Sequence, residues 1–530
     1  MLKRVREDSG EERILVMKEN KITRRNFLKV GAVASAAGLL SAAPVAASAA
    51  EPEAASAEEE NGLLDFLKKP KYVFLFIGDG MGTVQIQSAR FYKGTTENNG
   101  AVVEGDLSFT SFPEVGSVTT YDSTSFCPDS ASTATSIATG NKTESGVINM
   151  CPWTRDVPYE TIAEKLHKQK NYKVGVVSTV NIDHATPAAF YAHQNSRKNY
   201  YQIGVELANS GFEYFAGGEF QKVNGDGTGP NNHEVAAQAG YNVVTTQAGA
   251  AALTAGAGKT LIIAENLADG KAMNYAMDAA NGEWQLTDYV KKGIELLENK
   301  KGFFLMTESG KIDWACHAND AAASIHDVLE MSNAVQAAVD FYNAHPNETL
   351  ILVTADHETG GMAIGYKTTN YDTFLTNLTH QKMSYAKFDS TYVQSYIANQ
   401  TPFETAMADV KANFGLTLPN DPDAASAGKL LLTDYEVENL RKSYERTLEV
   451  GASSQSKMSQ EDYELYGTYI PFSMAICHTI NHKSGMDHTT YAHTGAMVNI
   501  YAMGVGAEKF RGVFDNTEIY HKLAELTGVQ

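Results

Sequence analysis

The stretch FFLMTESGKIDWACH, from Phe303 to His317, joins an apolar run of strand length to three candidate metal ligands. In an α/β sheet, ligands bind beyond the carboxyl ends of the strands, which is where Glu308, Asp313 and His317 are expected. One helical turn places Asp313 and His317 on the same face, because they are four residues apart. A carboxylate with an imidazole suits Zn²⁺, whereas Glu308 offers an oxygen better matched to Mg²⁺. A strand end followed by a solvated helix cap would explain the same pattern without metal.

Similar apolar runs recur along the chain and alternate with helical patterns, which is typical of a parallel sheet flanked by helices. The predicted strands are Tyr72–Ile77, Val174–Ser178, Phe303–Met306, Thr349–Thr354 and Val498–Met503. A helix with one apolar stripe is predicted from Asp320 to Ala344. We therefore predict an α/β fold, a three-layer α/β/α sandwich with a mostly parallel central sheet.

Residues 367–490 interrupt this alternation. They are polar and rich in Tyr, Asn and Thr, and they contain helix-like pieces such as Asp434–Leu448. We interpret them as a large inserted accessory region, which divides the core into a first part (residues 70–366) and a last part (residues 491–530).

The N-terminus has the features of an export signal. Residues 1–49 contain the pair Arg24-Arg25, then a weakly apolar Ala-rich stretch that ends in the small residues Ala47-Ser48-Ala49. Paired arginines indicate the twin-arginine pathway and a periplasmic or extracellular location. A membrane anchor is the alternative, but the stretch is rich in Ala, Gly and Ser and no second one follows, so we expect no stable membrane span. Residues 50–69 are interpreted as an acidic linker.

The charge of the chain restricts its partners. The net charge is −20, and residues 1–49 carry nine Lys/Arg against five Asp/Glu, so the remainder carries −24. Such a surface repels nucleic acid, and an anionic substrate would need a locally cationic site.

Cys127 and Cys151 could close a loop by a disulfide in an exported chain, but none of the four cysteines lies in a CxxC pair.

Several predicted strands end in metal-ligand residues, and this recurrence favours a multi-metal site over coincidence. Asp79 follows the first strand between glycines, Asp356-His357 follows another, and His493 precedes a glycine. Ser130 lies at the start of a helix of small residues, where backbone N–H groups favour phosphate. It is either an N-cap or, beside a metal, a nucleophile.

These motifs occur in the order seen in alkaline phosphatases, which the chain resembles over residues 70–366 and 491–527. The motifs that carry the resemblance are Gly78-Asp79-Gly80-Met81-Gly82, Asp129-Ser130-Ala131, His184-Ala185-Thr186-Pro187-Ala188-Ala189, Ser196-Arg197, Glu308 through His317, Thr354-Ala355-Asp356-His357 and His493-Thr494-Gly495. The resemblance implies metal-dependent hydrolysis of phosphate monoesters through a covalent phosphoserine at Ser130.

The resemblance also implies two Zn²⁺ and one Mg²⁺. The ligand sets that match the family are Asp313, His317 and His493 for the first zinc, Asp79, Asp356, His357 and Ser130 for the second, and Asp79, Thr186 and Glu308 for magnesium. His184, where some relatives carry Asp, is expected beside the magnesium site, which leaves the identity of the third metal open.

The substrate would be held by Arg197, the family's phosphate-binding arginine, with Asp129 orienting it. Trp314 occupies a position where relatives carry Lys or His, so it is either a substrate contact or a packing aromatic. We interpret His482 and His488, near Asp487, as solvated loop residues, with an additional metal site as the alternative.

Two rival functions remain. One is a phosphodiesterase or sulfatase of the same superfamily, although Cys127-Pro128 lacks the arginine of the sulfatase motif. The other is a non-catalytic surface protein that binds metal or phosphate. The accessory region resembles the crown of alkaline phosphatases, which suggests a homodimer, but such insertions also occur in monomers.

Overall fold

The computed structural model describes residues 69–451 and 457–530. The predicted signal peptide and all but the last residue of the predicted linker lie outside this part of the chain. Within it, fourteen strands are formed: β1 (Tyr72–Gly78), β2 (Glu114–Thr119), β3 (Lys173–Asn181), β4 (Tyr214–Gly218), β5 (Asn242–Val244), β6 (Thr260–Ile263), β7 (Phe303–Ser309), β8 (Thr349–Thr354), β9 (Glu358–Thr359), β10 (Ala363–Ile364), β11 (Met486–Asp487), β12 (His493–Thr494), β13 (Val498–Gly504) and β14 (Gly512–Asp515).

Ten of these strands form one sheet, in the order β14-β2-β13-β8-β1-β7-β3-β4-β6-β5. Neighbours in this sheet pair in parallel except at β13, which is antiparallel to both β2 and β8. All five predicted strands are present. β7 extends three residues beyond the predicted end at Met306, so Glu308 lies in the strand rather than after it.

Seventeen α-helices lie in the described residues, some of them joined by short 3₁₀ or π turns. They are α1 (Thr83–Glu97), α2 (Ser130–Thr139), α3 (Ile162–Lys165), α4 (Ala185–Ala188), α5 (Tyr200–Asn209), α6 (Asn232–Gln238), α7 (Gln247–Ala252), α8 (Leu286–Leu297), α9 (Lys311–His317), α10 (Ala321–Ala344), α11 (Tyr385–Phe388), α12 (Gln394–Asn399), α13 (Phe403–Phe414), α14 (Asp434–Val450), α15 (Gln460–Tyr466), α16 (Pro471–Ser484) and α17 (Thr517–Thr527).

Helices flank the sheet as predicted. α1, α8 and α10 pack together, with α8 and α10 against the central strands β1, β3, β7 and β8, whereas α2, α3, α4 and α17 form a second group that reaches β3 and β7 through α4. The central strands are buried along their whole length, which explains their continuous apolar runs.

The central strands bring their carboxyl ends to one place. β1 lies between β7 and β8, and Gly78 pairs with Ser309 while Ile77 pairs with Thr354. The turn after β1 needs glycine, because Gly80 has φ +70° and a Cβ there would lie 2.7 Å from Thr359 Oγ1. The close approach lets Asp79 lie beside residues that follow the neighbouring strands.

The described part of the accessory region, residues 367–451 and 457–490, contributes helices α11 to α16 and no strand of the main sheet. Its two ends meet where β10 pairs antiparallel with β11, with Ala363 opposite Asp487. The domain boundaries drawn from the sequence stay a prediction.

The sequence also led us to expect no stable membrane span and a possible disulfide between Cys127 and Cys151. Among the described residues, no helix is both long and apolar enough to cross a membrane. All four cysteines lie in the described residues and are free thiols, so the loop between Cys127 and Cys151 is not closed by a disulfide in this structure.

Candidate active site

The first cluster of candidate ligands lies where α9 faces β12. Asp313 and His317 are on one face of α9, as predicted, and His493 is in β12. Asp313 Oδ1 lies 3.3 Å from His317 Nε2 and 3.6 Å from His493 Nε2, and the two Nε2 atoms are 3.1 Å apart. These three side chains are close enough to bind one cation.

The second cluster is buried at the ends of β1 and β8. His357 Nε2 lies 3.4 Å from Asp79 Oδ1 and 3.1 Å from Asp356 Oδ2, and all three side chains are fully buried. Ser130 Oγ is 3.2 Å from the same His357 nitrogen. The serine therefore lies against this cluster, as the sequence predicts.

The third cluster shares Asp79 and adds Glu308 and His184. Thr186 Oγ1 donates a hydrogen bond of 3.4 Å to Asp79 Oδ2, and Ser178 Oγ donates one to Glu308 Oε2. The structure thus brings together every ligand predicted for the third site. Ser178 is an additional neighbour that no sequence motif indicated.

The charges of these clusters fit divalent cations. Burial and neighbouring carboxylates raise the pKa of Asp79 well above its usual range, and burial raises the pKa of Glu308 to about 7. Asp79 Oδ1, Glu308 Oε1 and His184 Nδ1 are buried and have no hydrogen-bond partner among the described residues. A buried carboxylate oxygen without a hydrogen bond is costly, so a cation among these oxygens would remove that cost.

Backbone carbonyls orient the histidines of the first cluster. His317 Nδ1 donates to Tyr491 O and His493 Nδ1 to Pro128 O, both at 2.6 Å. With the proton on Nδ1, each ring directs the lone pair of Nε2 into the cluster, which is the tautomer that metal binding requires. Sequence reasoning missed these partners, because a carbonyl group leaves no sequence signal.

Ser130 is the first residue of α2, and Asp129 is the N-cap. Asp129 Oδ1 accepts a hydrogen bond of 3.1 Å from Ser132 N. Ser130 is therefore not itself the N-cap, which was the alternative reading of its sequence position. Its hydroxyl is free of a capping role and lies at the positive end of the helix dipole.

Arg197 lies between Asp129 and His184. Its Nη1 donates to Asp129 Oδ2 at 2.8 Å, and its Nη2 lies 3.1 Å from His184 Nε2. Burial acts to lower the pKa of Arg197, but the ion pair with Asp129 outweighs it and leaves the pKa raised. The guanidinium is thus held in place and charged.

A cavity of about 300 Å³ opens onto these groups. The residues that line it are Ser130, His184, Arg197, Asp313, Trp314, His317, Tyr385, Tyr469 and His493. Trp314 lies at its wall, with Lys311 Nζ 4.7 Å from its ring centre and the His184 ring centre 6.1 Å away. Tyr385 and Tyr469 come from the accessory region, and sequence reasoning did not find them.

The family profile and the most similar relatives point to the same protein family. The alkaline phosphatase family profile matches residues 70–217 and 219–529, and a profile of twin-arginine signal sequences matches residues 21–41. Alkaline phosphatase 4 of Bacillus subtilis is 31% identical over 457 residues, covering 84% of this chain and 86% of the relative. Alkaline phosphatase 3 of the same organism is 30% identical, with coverage of 89% and 92%.

Solved structures with the same fold include the cold-active alkaline phosphatase of the psychrophile Shewanella sp., at 26% identity and TM-score 0.69, covering 86% of this chain and 99% of that one. Another is a TAB5 alkaline phosphatase variant with a histidine changed to aspartate and Mg bound in the M3 site. It is 25% identical, with TM-score 0.58 and coverage of 88% and 99%.

Proposed function

The chain belongs to the alkaline phosphatase family of phosphomonoester hydrolases, and on that premise we propose that it acts through a covalent phosphoserine at Ser130. The observation that carries the proposal is the position of Ser130. Its hydroxyl is at the start of α2, 3.2 Å from His357 and at the wall of the cavity. A nucleophile needs this combination of access and a nearby electropositive environment.

In the first step Ser130 Oγ, having lost its proton to solvent, attacks the phosphorus of the ester. The bond from phosphorus to the alcohol oxygen breaks, and the departing alkoxide takes a proton from solvent. In the second step water attacks the phosphoserine, the bond to Oγ breaks, and inorganic phosphate leaves while Oγ regains its proton. Each step is an in-line displacement at phosphorus, so positioning and charge stabilisation carry the catalysis.

Arg197 would bind the substrate's phosphoryl oxygens. Its guanidinium is planar and can hold two of these oxygens at once, and the Asp129 carboxylate fixes its orientation. The same Asp129 caps α2, so the nucleophile and the phosphate-binding arginine are positioned by one side chain.

The three clusters would hold two Zn²⁺ and one Mg²⁺. Imidazole-containing clusters suit zinc, whereas Glu308, Asp79 and the Thr186 hydroxyl suit the harder magnesium. When bound, such cations lower the pKa of an adjacent hydroxyl and neutralise charge that develops on oxygen in the transition state.

The identity of the third metal depends on His184. Arginine can only donate, so the contact with Arg197 Nη2 makes His184 Nε2 an acceptor and places the ring proton on Nδ1. A cation at Nδ1 would need the other tautomer and the loss of that contact. The Mg in the M3 site of the TAB5 aspartate variant supports magnesium in a site of this kind when a carboxylate is present.

Replacing the nucleophile tests the proposal. Ser130→Ala should abolish hydrolysis of 4-nitrophenyl phosphate and the ³²P label trapped on protein at low pH, with metal content near that of the wild type. Ser136→Ala, in the same buried helix, is the matched control and should retain both. Wild-type turnover in Ser130→Ala would show that the mechanism is wrong.

The preferred substrate distinguishes a phosphomonoesterase from the rival phosphodiesterase. We expect faster hydrolysis of 4-nitrophenyl phosphate than of bis(4-nitrophenyl) phosphate, because Arg197 and the metal clusters favour a doubly charged phosphoryl group. A reversed preference would identify a phosphodiesterase of the same superfamily.

The match to a twin-arginine signal supports export by that pathway, and we propose that the mature enzyme acts in the periplasm or outside the cell.

A further inference from the structure

Thr359, in the short strand β9, lies between the first and second clusters of candidate ligands. Its side chain is fully buried. The hydroxyl oxygen Oγ1 lies 2.5 Å from Asp313 Oδ1, which belongs to the first cluster, and 3.2 Å from His357 Nδ1, which belongs to the second. A single hydroxyl group therefore contacts one ligand of each cluster, and no sequence motif indicated this contact.

The direction of these two hydrogen bonds follows from what each group can donate. A hydroxyl has one proton to donate and two lone pairs that accept, whereas an ionised carboxylate only accepts. The short contact with Asp313 therefore requires Thr359 to be the donor. The same hydroxyl oxygen is then the acceptor for the proton on His357 Nδ1. The result is one chain of hydrogen bonds that runs from His357 through Thr359 to Asp313.

This chain fixes the tautomer of His357. With the proton on Nδ1, the lone pair of Nε2 points into the second cluster, where Nε2 lies 3.1 Å from Asp356 Oδ2 and 3.2 Å from Ser130 Oγ. Backbone carbonyls have the same effect on the two histidines of the first cluster. His357 differs from them, because its Nδ1 partner is a side chain that can be replaced by mutation and that also holds Asp313.

The backbone of β9 is itself held beside the first cluster. β9 pairs antiparallel with β12, and Thr359 lies opposite His493 in this pairing. Gln85, a buried residue of α1, donates to Thr359 O at 2.9 Å and to Glu358 Oε1 at 2.7 Å. The other oxygen of Glu358 accepts a hydrogen bond from the Thr494 hydroxyl. These contacts on both sides of Thr359 keep its hydroxyl in place between the two clusters.

We propose that Thr359 is a positioning residue shared by the two zinc sites: its hydroxyl orients His357 toward the second cation while it holds Asp313 for the first. The inference rests on the proposed function, because it takes these two clusters to be the zinc sites of the enzyme. Groups that hydrogen-bond to metal ligands orient them, and losing one such group typically lowers metal affinity by about 10- to 100-fold. Since Thr359 contacts a ligand of each cluster, loss of its hydroxyl weakens both sites together.

Equilibrium dialysis of the purified enzyme against buffers of defined free Zn²⁺ concentration tests the proposal without measuring activity. Thr359→Ala and Thr359→Ser differ by one hydroxyl oxygen, so the difference between them reports the hydroxyl and not the lost methyl group. In Thr359→Ala we expect two zinc ions per chain to need a free Zn²⁺ concentration about 10- to 100-fold higher for half-saturation. Thr359→Ser should bind zinc as the wild type does.

Thr349→Ala is the matched control. Thr349 is as fully buried as Thr359, but its hydroxyl donates to the backbone carbonyl of His345 at 2.9 Å, before the start of β8. This variant loses the same atoms from the same sheet core without touching a candidate ligand. It should leave the affinity of both zinc sites unchanged, even if it lowers the melting temperature.

The outcomes separate this inference from the proposed function. If the wild type binds zinc and Thr359→Ala binds it equally well, or loses affinity at one site only, the shared role is wrong and the proposed function stands. An equal loss in Thr359→Ser overturns it as well, because the hydroxyl is still present. A wild type that binds no zinc contradicts the proposed active-site metals and this inference with them.

A crystal structure of the zinc-loaded wild type decides the question if Thr359→Ala fails to fold. Thr359 Oγ1 within hydrogen-bond distance of both Asp313 and His357 Nδ1 supports the shared role. Loss of either contact in the zinc-loaded enzyme overturns it.

Discussion

At the scale of single residues, Asp129 has the most consequential position. One of its oxygens caps α2, which carries Ser130, and the other binds Arg197 at 2.8 Å. Burial raises the pKa of Asp129, but Arg197 and backbone N–H groups outweigh this and leave the pKa below its usual value. Asp129 is therefore ionised under the conditions in which a phosphatase works, and both of its contacts persist.

Arg197→Ala is expected to weaken substrate binding. Losing charge-assisted hydrogen bonds worth about 1.5–3 kcal/mol should raise the KM for 4-nitrophenyl phosphate and the inhibition constant of inorganic phosphate by roughly 10- to 150-fold. Steady-state kinetics measure both. Lys198→Ala removes an exposed neighbouring charge and should have little effect, and equal effects of the two variants would argue against a specific arginine contact.

At the scale of elements, the accessory region contributes to the wall of the cavity at Ser130. Tyr385 from α11 and Tyr469, just before α16, line it together with Trp314, and the two tyrosine rings meet edge to face with centres 5.7 Å apart. We propose that the alcohol part of a substrate extends along these aromatic surfaces. Flat apolar groups should pack well there.

Tyr469→Ala is therefore expected to reduce the preference for aryl esters. The ratio of kcat/KM for 4-nitrophenyl phosphate to that for glycerol phosphate should fall by about 3- to 10-fold, in line with the loss of about 0.5–1.5 kcal/mol of aromatic contact. Tyr469→Phe keeps the ring and should retain the ratio. A fall of both rate constants in parallel would indicate structural damage instead.

An ion pair between α6 and the segment after β4 should make the stability of the fold depend on pH. His233 Nε2 lies 2.8 Å from Glu219 Oε1, and this hydrogen bond raises the pKa of His233 above 6.5. The pair therefore stabilises the fold below pH 6.5 and loses that effect as the pH rises through the raised pKa.

His233→Gln should accordingly lower the melting temperature at pH 5.5 and change it little at pH 9. The side chains are partly exposed, so the loss at low pH should be at most about 1 kcal/mol. Thermal melts of both proteins across this pH range measure it. A difference that grows toward pH 9 would contradict the assignment.

At the scale of the whole molecule, charge is concentrated at the carboxyl edge of the sheet. Asp79, Glu308, Asp313 and Asp356 are buried together there, on three separate segments of chain. Cations bound among them would connect β1, β7, β8 and α9. Ligand binding to the folded state alone increases stability by mass action.

Chelation is therefore expected to lower stability as well as activity. EDTA should reduce the melting temperature by roughly 5 °C or more, and Zn²⁺ with Mg²⁺ should restore it. Calorimetry measures the shift. Glu308→Gln removes one of the mutually repelling carboxylates and should respond less to EDTA, and an unchanged melt of the wild type would argue against bound structural cations.

The homodimer suggested by the crown-like accessory region stays a prediction, as do the domain boundaries and the role of each site residue. The α/β class and its strands were predictable, because apolar runs of Val, Ile and Phe report burial in a parallel sheet. The N-cap at Asp129 and the extension of β7 through Glu308 were not, since both depend on neighbouring backbone groups.

The sequence by itself determined the kind of protein: motifs in fixed order, a twin-arginine signal and candidate ligands after successive strands. These are local properties, because they depend only on residue types and their spacing along the chain. The tertiary structure alone brought the members of each expected ligand set into contact, because residues as distant as Asp79 and His357 meet through the pairing of β1 with β8. It also placed Tyr469 at the cavity beside Ser130, since the packing of distant segments decides which side chains line a cavity.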